Sequence, residues 1–188
     1  LGRGVAVKIV NMRLLARSKK QADEMMAREV RIHRALKHPN VIELIDDFRL
    51  DDRAKWYVVM ELAIGTSLQD LIDSLPSPMA EHLARHLMRQ LFRALDYCHS
   101  QSVVHRDVKP SNMLVSIGGT LRLCDFGVAE RLSPFETGLC SKSRGSPAFQ
   151  PPEVASGDEI FCGFKVDAWA AGISLFVLVT GTVPFGGA

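Results

Sequence analysis

Positions 5–10 read VAVKIV, a β-branched run with one lysine at its centre, and predict a strand. From about 20 to 37 the apolar period lengthens. Met26, Val30, His33 and Lys37 fall on one side of a predicted helix that Pro39 stops, with Glu29 in its middle. NVIELIDDF (40–48) and KWYVVMEL (55–62) predict two more strands around the polar turn RLDDRA. After Gly65 the pattern becomes helical. SLQDLIDSL predicts a short helix. Ser77 as N-cap with Pro78 at the first helical position predicts a longer one to about 100, its core stripe formed by Leu83, Leu87, Leu91 and Leu95. NMLVS and LRLCDFG predict two short strands around the turn GGT, and the Gly-, Ser- and Pro-rich stretch 133–152 predicts the most mobile part of the chain. The sum is a small mixed lobe (1–62) and a larger, mainly helical one (63–188), with a soft boundary at 62–65: an α+β architecture.

The apolar run at 168–185 could be read as a membrane span. Its strongly apolar part covers about a dozen residues before Thr180 and Gly181, short of the roughly 20 a bilayer requires, so it predicts a buried core helix and no membrane span. The chain has 188 residues and is 47% hydrophobic, enough to bury a core. A formal charge of +2 gives no reason to expect nucleic acid or a membrane surface as the main partner. The local basic bunches, Arg13, Arg17, Lys19 and Lys20, then Arg28, Arg31, Arg34 and Lys37, read as solvated helix faces.

Cys98, Cys124, Cys140 and Cys162 have no paired spacing of the zinc or redox type. They predict free thiols in an intracellular reducing compartment, cytoplasmic or nuclear. His82 and His86 share a helical face, but the intervening LAR lacks the glutamate of a zinc-hydrolase helix, so they read as surface or packing residues. The opening LGRGVAVKIVN lacks an apolar signal region.

The stretch VVHRDVKPSNMLV (103–115) concentrates polar groups between two apolar runs. Phosphoryl transfer from a nucleotide asks for cations on the phosphates, carboxylates to hold a metal cation, and a group that orients the attacking hydroxyl. Lys8, Glu29, Asp107, Lys109, Asn112 and Asp125 are candidates of the right types. Taken singly, each has a plain structural alternative: a solvent-facing strand lysine, a surface helix charge, a polar turn broken by Pro110, a strand-end turn at DFG.

Taken in order, VAVKIV, Glu29, HRDVKPSN, CDFG eighteen positions after Asp107, PPE at 151–153 and VDAWAAG resemble the signature set of protein kinases. That resemblance implies a bilobal kinase-like fold, with ATP and Mg2+ as cofactors. It implies Lys8 on the α- and β-phosphates, paired with Glu29, and Ala6, Glu61, Ala63 and Leu114 around the nucleotide. It makes Asp107 the acceptor of the substrate hydroxyl proton, Lys109 a cation near the transferring group, and Asn112 and Asp125 the metal ligands. It also implies a hydrophobic stack of Phe126, His105, His33 and Leu44, Cys124 as a packing residue, and Asp167 tying down the catalytic loop. Lys109 and Ser146 resemble serine/threonine kinases, which implies protein substrates with Ser or Thr acceptors.

More narrowly, GSPAFQPPE, GFKVDAWAAG and LDYCHSQSVVHRDVKPSNMLV with GGTLRL resemble the liver kinase B family, upstream activators of AMP-activated kinases. Leu62, Arg106 and Phe126 depart from that family, which has an aromatic, a lysine and a leucine there. The resemblance implies AMP-activated-type kinases as substrates, and a pseudokinase adaptor and a helical-repeat scaffold as partners. It also implies activation without obligatory phosphorylation of the activation loop, with Lys142 between Ser141 and Ser143. Against the family pattern the chain reads as truncated at both ends. LGRG would be the stub of a glycine-rich loop that Val7 cannot complete, and PFGGA stops before the expected later helices. A kinase-like non-catalytic binding module, or an inactive fragment, is the competing reading.

Overall fold

A computed structural model describes residues 4–50, 52–132, 139, 140 and 145–185. Strand β1 (Val5–Asn11) leads through a one-turn helix α1 (Met12–Leu15) to helix α2 (Lys19–Arg34), then β2 (Leu44–Leu50) and β3 (Lys55–Glu61). The three strands form an antiparallel sheet in the order β1-β3-β2, in which Lys8 lies opposite Val58. In β1 the alternation is strict: Ala6, Lys8 and Val10 are half-buried, while Val5, Val7 and Ile9 face outward. Ser18 caps α2 by accepting from the Gln21 N–H, and Ala22, Met26 and Val30 on that helix pack with Leu44 and Val58.

The large lobe continues with β4 (Gly65–Ser67), α3 (Leu68–Ser74), α4 (Glu81–Ser100), β5 (Val103–Val104), β6 (Met113–Ser116), β7 (Leu121–Leu123), β8 (Glu130–Arg131), β9 (Leu139–Cys140), α5 (Pro152–Ala155), β10 (Phe161–Cys162) and α6 (Gly163–Thr180). Ser67 caps α3 through the Asp70 N–H. Sheet β4-β6-β7, the pair β5-β8 and the pair β9-β10 are all antiparallel. The main core gathers Leu91, Val108, Met113, Leu123, Phe126 and Leu178. Helix α6 is long and apolar enough to cross a membrane, but half of that window is buried and it carries the fully buried Asp167 and Ser174. It packs against α4 as a core helix.

Four local expectations need correction. The strand predicted from position 40 begins at Leu44, because Val41 and Ile42 serve the other lobe: Val41 bridges Leu123, and the Ile42 N–H donates to the Leu123 carbonyl at 2.9 Å. Helix α2 stops at Arg34, and Lys37 is exposed and paired with Glu43 at 2.6 Å rather than aligned with the buried face. Ser77 and Pro78 do not open α4, whose N-cap is Ala80. The buried Met79 donates its N–H to Leu178 on α6 at 2.9 Å, and this tertiary bond holds the chain extended up to Ala80. Leu83 is 50% exposed, while Ala84, Leu87, Met88, Leu91, Ala94, Leu95 and Cys98 are buried. A strict four-residue repeat precesses about 40° per step around a 3.6-residue helix, which carries its first member off the core face.

The basic faces are solvated as expected, with Arg34 engaging Asp47 and Arg28 engaging Glu130. His82 and His86 are exposed on α4. The expectations for Ser141, Lys142, Ser143 and the LGR opening lie outside the described residues. Of the stretch predicted as most mobile, the described residues are 139, 140 and 145–152.

Candidate active site

The site begins with a suspended loop. On α6, the carboxylate of Asp167 is wholly buried and accepts from the backbone N–H groups of His105 (2.9 Å) and Arg106 (2.7 Å), and it also meets His99 Nε2 at 2.8 Å. These donors satisfy the buried carboxyl oxygens, and they hang the loop after β5 from the core helix. Arg106 takes a left-handed backbone, φ 66°, just before Asp107.

Around Asp107 the geometry is closed on every side. Oδ1 accepts from the Ser146 N–H and hydroxyl, both at 2.9 Å, while Oδ2 meets Lys109 Nζ at 2.8 Å and Asn112 Nδ2 at 2.9 Å. Lys109 Nζ also donates to Ser146 Oγ at 2.6 Å, and Asn112 Nδ2 to the Asp107 carbonyl at 2.8 Å. Burial pushes the Asp107 carboxyl up, but Lys109, Ser146 and Asn112 outweigh it and hold the pKa below the ordinary aspartate value. Asp107 is therefore ionised at neutral pH, oriented, and able to accept a proton.

Ser146 reaches Asp107 because its neighbour is glycine. Gly145 has φ +93°, and a Cβ there would lie 2.2 Å from the Arg106 carbonyl oxygen.

The second centre joins the lobes. Lys8 Nζ on β1 lies 2.7 Å from Glu29 Oε1 on α2 and 2.9 Å from Oδ1 of Asp125, which follows β7 with φ 63°. Burial opposes the charge on Lys8, yet the two carboxylates raise its pKa. Burial likewise opposes the charge on Asp125, yet Lys8 lowers its pKa. Lys8 and Asp125 are thus charged at neutral pH, which leaves Asp125, with its side chain 48% exposed, as an anion open to the cleft.

Behind Asp125, Phe126 is fully buried between two histidines, His33 at 4.8 Å and His105 at 4.9 Å between ring centroids. Leu44 lies in the small-lobe core with Met26 and Val30. His33 Nε2–H donates to the Ile42 carbonyl at 2.8 Å. Burial lowers the His33 pKa from 6.5 to about 4. Because the folded value lies below the unfolded one, the unfolded chain takes the proton first. Stability is full above about pH 6.5, falls as pH drops and is lowest below about pH 4, a loss of about 3 kcal/mol. Urea midpoints measured across this range should fall for the wild type, and with a shallower slope for His33→Leu. Cys124 packs beside this stack with its Sγ 3.3 Å from the Asn112 carbonyl, and burial pushes its thiol up to about 12, so it is a packing residue.

Between the lobes lies a cleft of about 440 Å³, within the range of small-molecule sites. Ala6, Lys8, Glu29, Glu61, Ala63, Asn112, Leu114 and Asp125 line it, and Asp107 and Lys109 adjoin it through Asn112. The expected site residues thus come together. The Glu61 carboxylate is engaged by Arg122 at 3.1 Å and the Glu43 N–H at 3.0 Å, a structural role for its side chain. Sequence reasoning missed Val7, Ile42, Met60 and Ser111 in the lining. The position of Met60 directly before Glu61 was the available signal, and Ser111 offered none. A larger groove of about 630 Å³ lies among α3, α4 and the β6–β7 turn, but it is lined by residues such as Leu71, Met79 and Leu87, with His86 as its titratable group. The smaller cleft carries the chemistry.

The cleft's donors suit a hard cation. Asn112 spends its NH2 on Asp107 and keeps Oδ1, and Asp125 offers carboxylate oxygen. Among the described residues no group of three or more His, Cys, Asp or Glu forms a metal cage. Two oxygen donors fit a divalent cation whose remaining ligands are phosphate oxygens and water.

A cleft with an ionised loop aspartate, a strand lysine bridging two carboxylates and an Asn–Asp oxygen pair is the arrangement of a protein-kinase site. Residues 2–188 match the protein kinase domain, and the chain belongs to that family. It is 43% identical over 186 residues to human serine/threonine-protein kinase STK11, covering 97% of this chain and 42% of that protein. It is 43% identical over 168 residues to serine/threonine-protein kinase par-4 of Caenorhabditis elegans, covering 86% and 27%. To the stk11 homolog of Dictyostelium discoideum it is 40% identical over 188 residues, covering 98% and 32%. STK11 is liver kinase B, so the narrower resemblance points the same way. The chain spans less than half the length of these curated relatives.

Proposed function

We propose that the protein transfers the terminal phosphoryl group of ATP to Ser or Thr hydroxyls of protein substrates, with Mg2+ as the divalent cation. The carrying observation is the intact chain of contacts Glu29–Lys8–Asp125 on one side of the cleft and Asn112–Asp107–Lys109 on the other. Asp107 orients the acceptor hydroxyl and takes its proton as the new O–P bond forms and the bond to the ADP oxygen breaks. Lys109 stands beside the transferring group. Lys8, kept cationic by its partners, steadies the phosphates. Asn112 and Asp125 would hold the cation, which when bound spreads the phosphate charge.

The Lys109–Ser146–Asp107 contacts support a Ser/Thr preference. Similarity to STK11 and par-4 supports a place upstream in signalling, with AMP-activated-type kinases as substrates and a pseudokinase adaptor and helical-repeat scaffold as partners. The four cysteines are free, which supports residence in a reducing compartment, cytoplasmic or nuclear. A non-catalytic module is disfavoured because none of Lys8, Glu29, Asp107, Asn112 and Asp125 is lost. The test is phosphate transfer from Mg-ATP by the full-length protein to Ser, Thr and Tyr peptides, beside thermal shift with nucleotide. Transfer to Ser or Thr with a magnesium-dependent shift is expected. Absence of both would overturn the proposal.

A further inference from the structure

The small lobe carries a second concavity, of about 370 Å³, which shares no lining residue with the nucleotide cleft. Its floor is apolar: Met12, Ala16 and Ala54. Met12 is buried and donates its N–H to the Ala54 carbonyl at 2.9 Å, which ties α1 to the turn between β2 and β3. Its walls are cationic. Arg13 on α1, Arg17 in the link to α2, Lys19 on α2 and Arg49 on β2 all line it, and no carboxylate does among the described residues. Arg49 is already held, with Nη1 2.9 Å from Asp23 Oδ1 and its guanidinium 5.9 Å from the Trp56 ring centroid. Arg13 and Arg17 form no ion pair among the described residues.

One hydroxyl lines the same cavity. Ser18 is exposed, and its Oγ accepts the Gln21 N–H at 3.2 Å. Its chain neighbours are basic as well: Arg17 before it, Lys19 and Lys20 after it, and Arg13 five positions earlier. Like charges gathered around one concavity repel one another. A phosphoryl group on this hydroxyl would relieve that repulsion, because it brings about −1.5 to −2 charges and three acceptor oxygens that guanidinium forks bind well. The same basic flanks suit a modifying enzyme whose peptide groove is acidic.

We propose that Ser18 is a phosphorylation site, modified in trans by a protein kinase that selects basic flanks, and that the added group lodges among Arg13, Arg17, Lys19 and Arg49. The Ser18 Oγ–P bond forms as the terminal P–O bond of ATP breaks, the hydroxyl proton passes to the modifying enzyme's base, and ADP leaves. The product joins α1, α2 and β2 at one point, and so fastens the start of the helix that carries Glu29. The proposal does not depend on the phosphotransfer reading of the cleft, because Ser18 is the acceptor here and lies outside the cleft lining.

The test has two arms, both on the full-length protein. In the first, protein isolated from its own cells with phosphatase inhibitors is mapped by mass spectrometry. Phosphate on Ser18 is expected, and an unmodified Ser18 would overturn the proposal. The second arm uses protein made with phosphoserine encoded at position 18. The second pKa of a phosphoserine is about 6. Phosphorus NMR titration of the folded protein should place it about 0.5–1 below that of the urea-unfolded protein, because the surrounding cations favour the dianion. Arg13→Gln/Arg17→Gln should bring the folded value at least halfway back. A helix cap that merely tolerated the phosphate would titrate alike with and without the two arginines. A folded titration equal to the unfolded one, or a lowered value that the double variant leaves in place, would remove the phosphoryl group from this cavity and overturn the proposal.

Discussion

Asp107→Asn is expected to slow phosphate transfer by about 10²–10⁴-fold, the range ascribed to a positioned general base. Nucleotide affinity should remain close to wild type, since Asp107 lies outside the cleft lining. The size of the effect follows from the contacts. Asparagine removes the charge that Lys109 faces at 2.8 Å, and its new amide group would point donors either at both Lys109 Nζ and Asn112 Nδ2 or at the Ser146 N–H. The site would lose its acceptor and gain a repulsion. Steady-state kinetics with a Ser peptide should show the loss in kcat rather than in KM for ATP. Because the native carboxyl titrates below the ordinary aspartate value, the wild-type rate should show no acid limb from this group near neutrality. Turnover of the variant near the wild-type level would remove Asp107 from the role assigned to it.

Asp125→Asn is expected to cost about 10²–10³-fold in kcat, the range for loss of one electrostatic element of a preorganised site, and to abolish the magnesium-dependent part of nucleotide binding. The substitution isolates charge from folding. Asp125 sits at φ 63°, a left-handed conformation that asparagine tolerates as well as aspartate does, so the turn itself should survive. Lys8 would keep Glu29 but lose the partner that draws it toward the large lobe. Calorimetric titration with ATP, with and without magnesium, reads both consequences. A magnesium-dependent affinity equal to wild type would exclude Asp125 as a cation ligand.

The parts of the site legible in the chain were those whose residues are close in sequence or carry a period. HRDVKPSN places its aspartate, lysine and asparagine on one loop by covalent spacing alone, and VAVKIV puts Lys8 on one face of a strand by alternation. The parts that stayed hidden were tertiary. Nothing local indicates that Met79 donates to Leu178, and that bond overrides the capping signal of Ser77 and Pro78. Val41 and Ile42 have the composition of the strand that follows them, yet they bond to Leu123 across the lobes. Arg28, Glu130 and Arg106 join charges from three separate elements, and contacts of that kind leave no periodic trace.

The glycine beside Ser146 closes one position to drift. Any encoded side chain at residue 145 would meet the Arg106 carbonyl oxygen, at a backbone angle that side chains resist. A lineage that changed it would not lose the nucleotide cleft, which is built from other residues. It would unhook Ser146 from Asp107, and so free one oxygen of that carboxylate from the two donors that orient it. Such a chain would keep the walls of its cleft and lose the fixed orientation of its loop carboxylate.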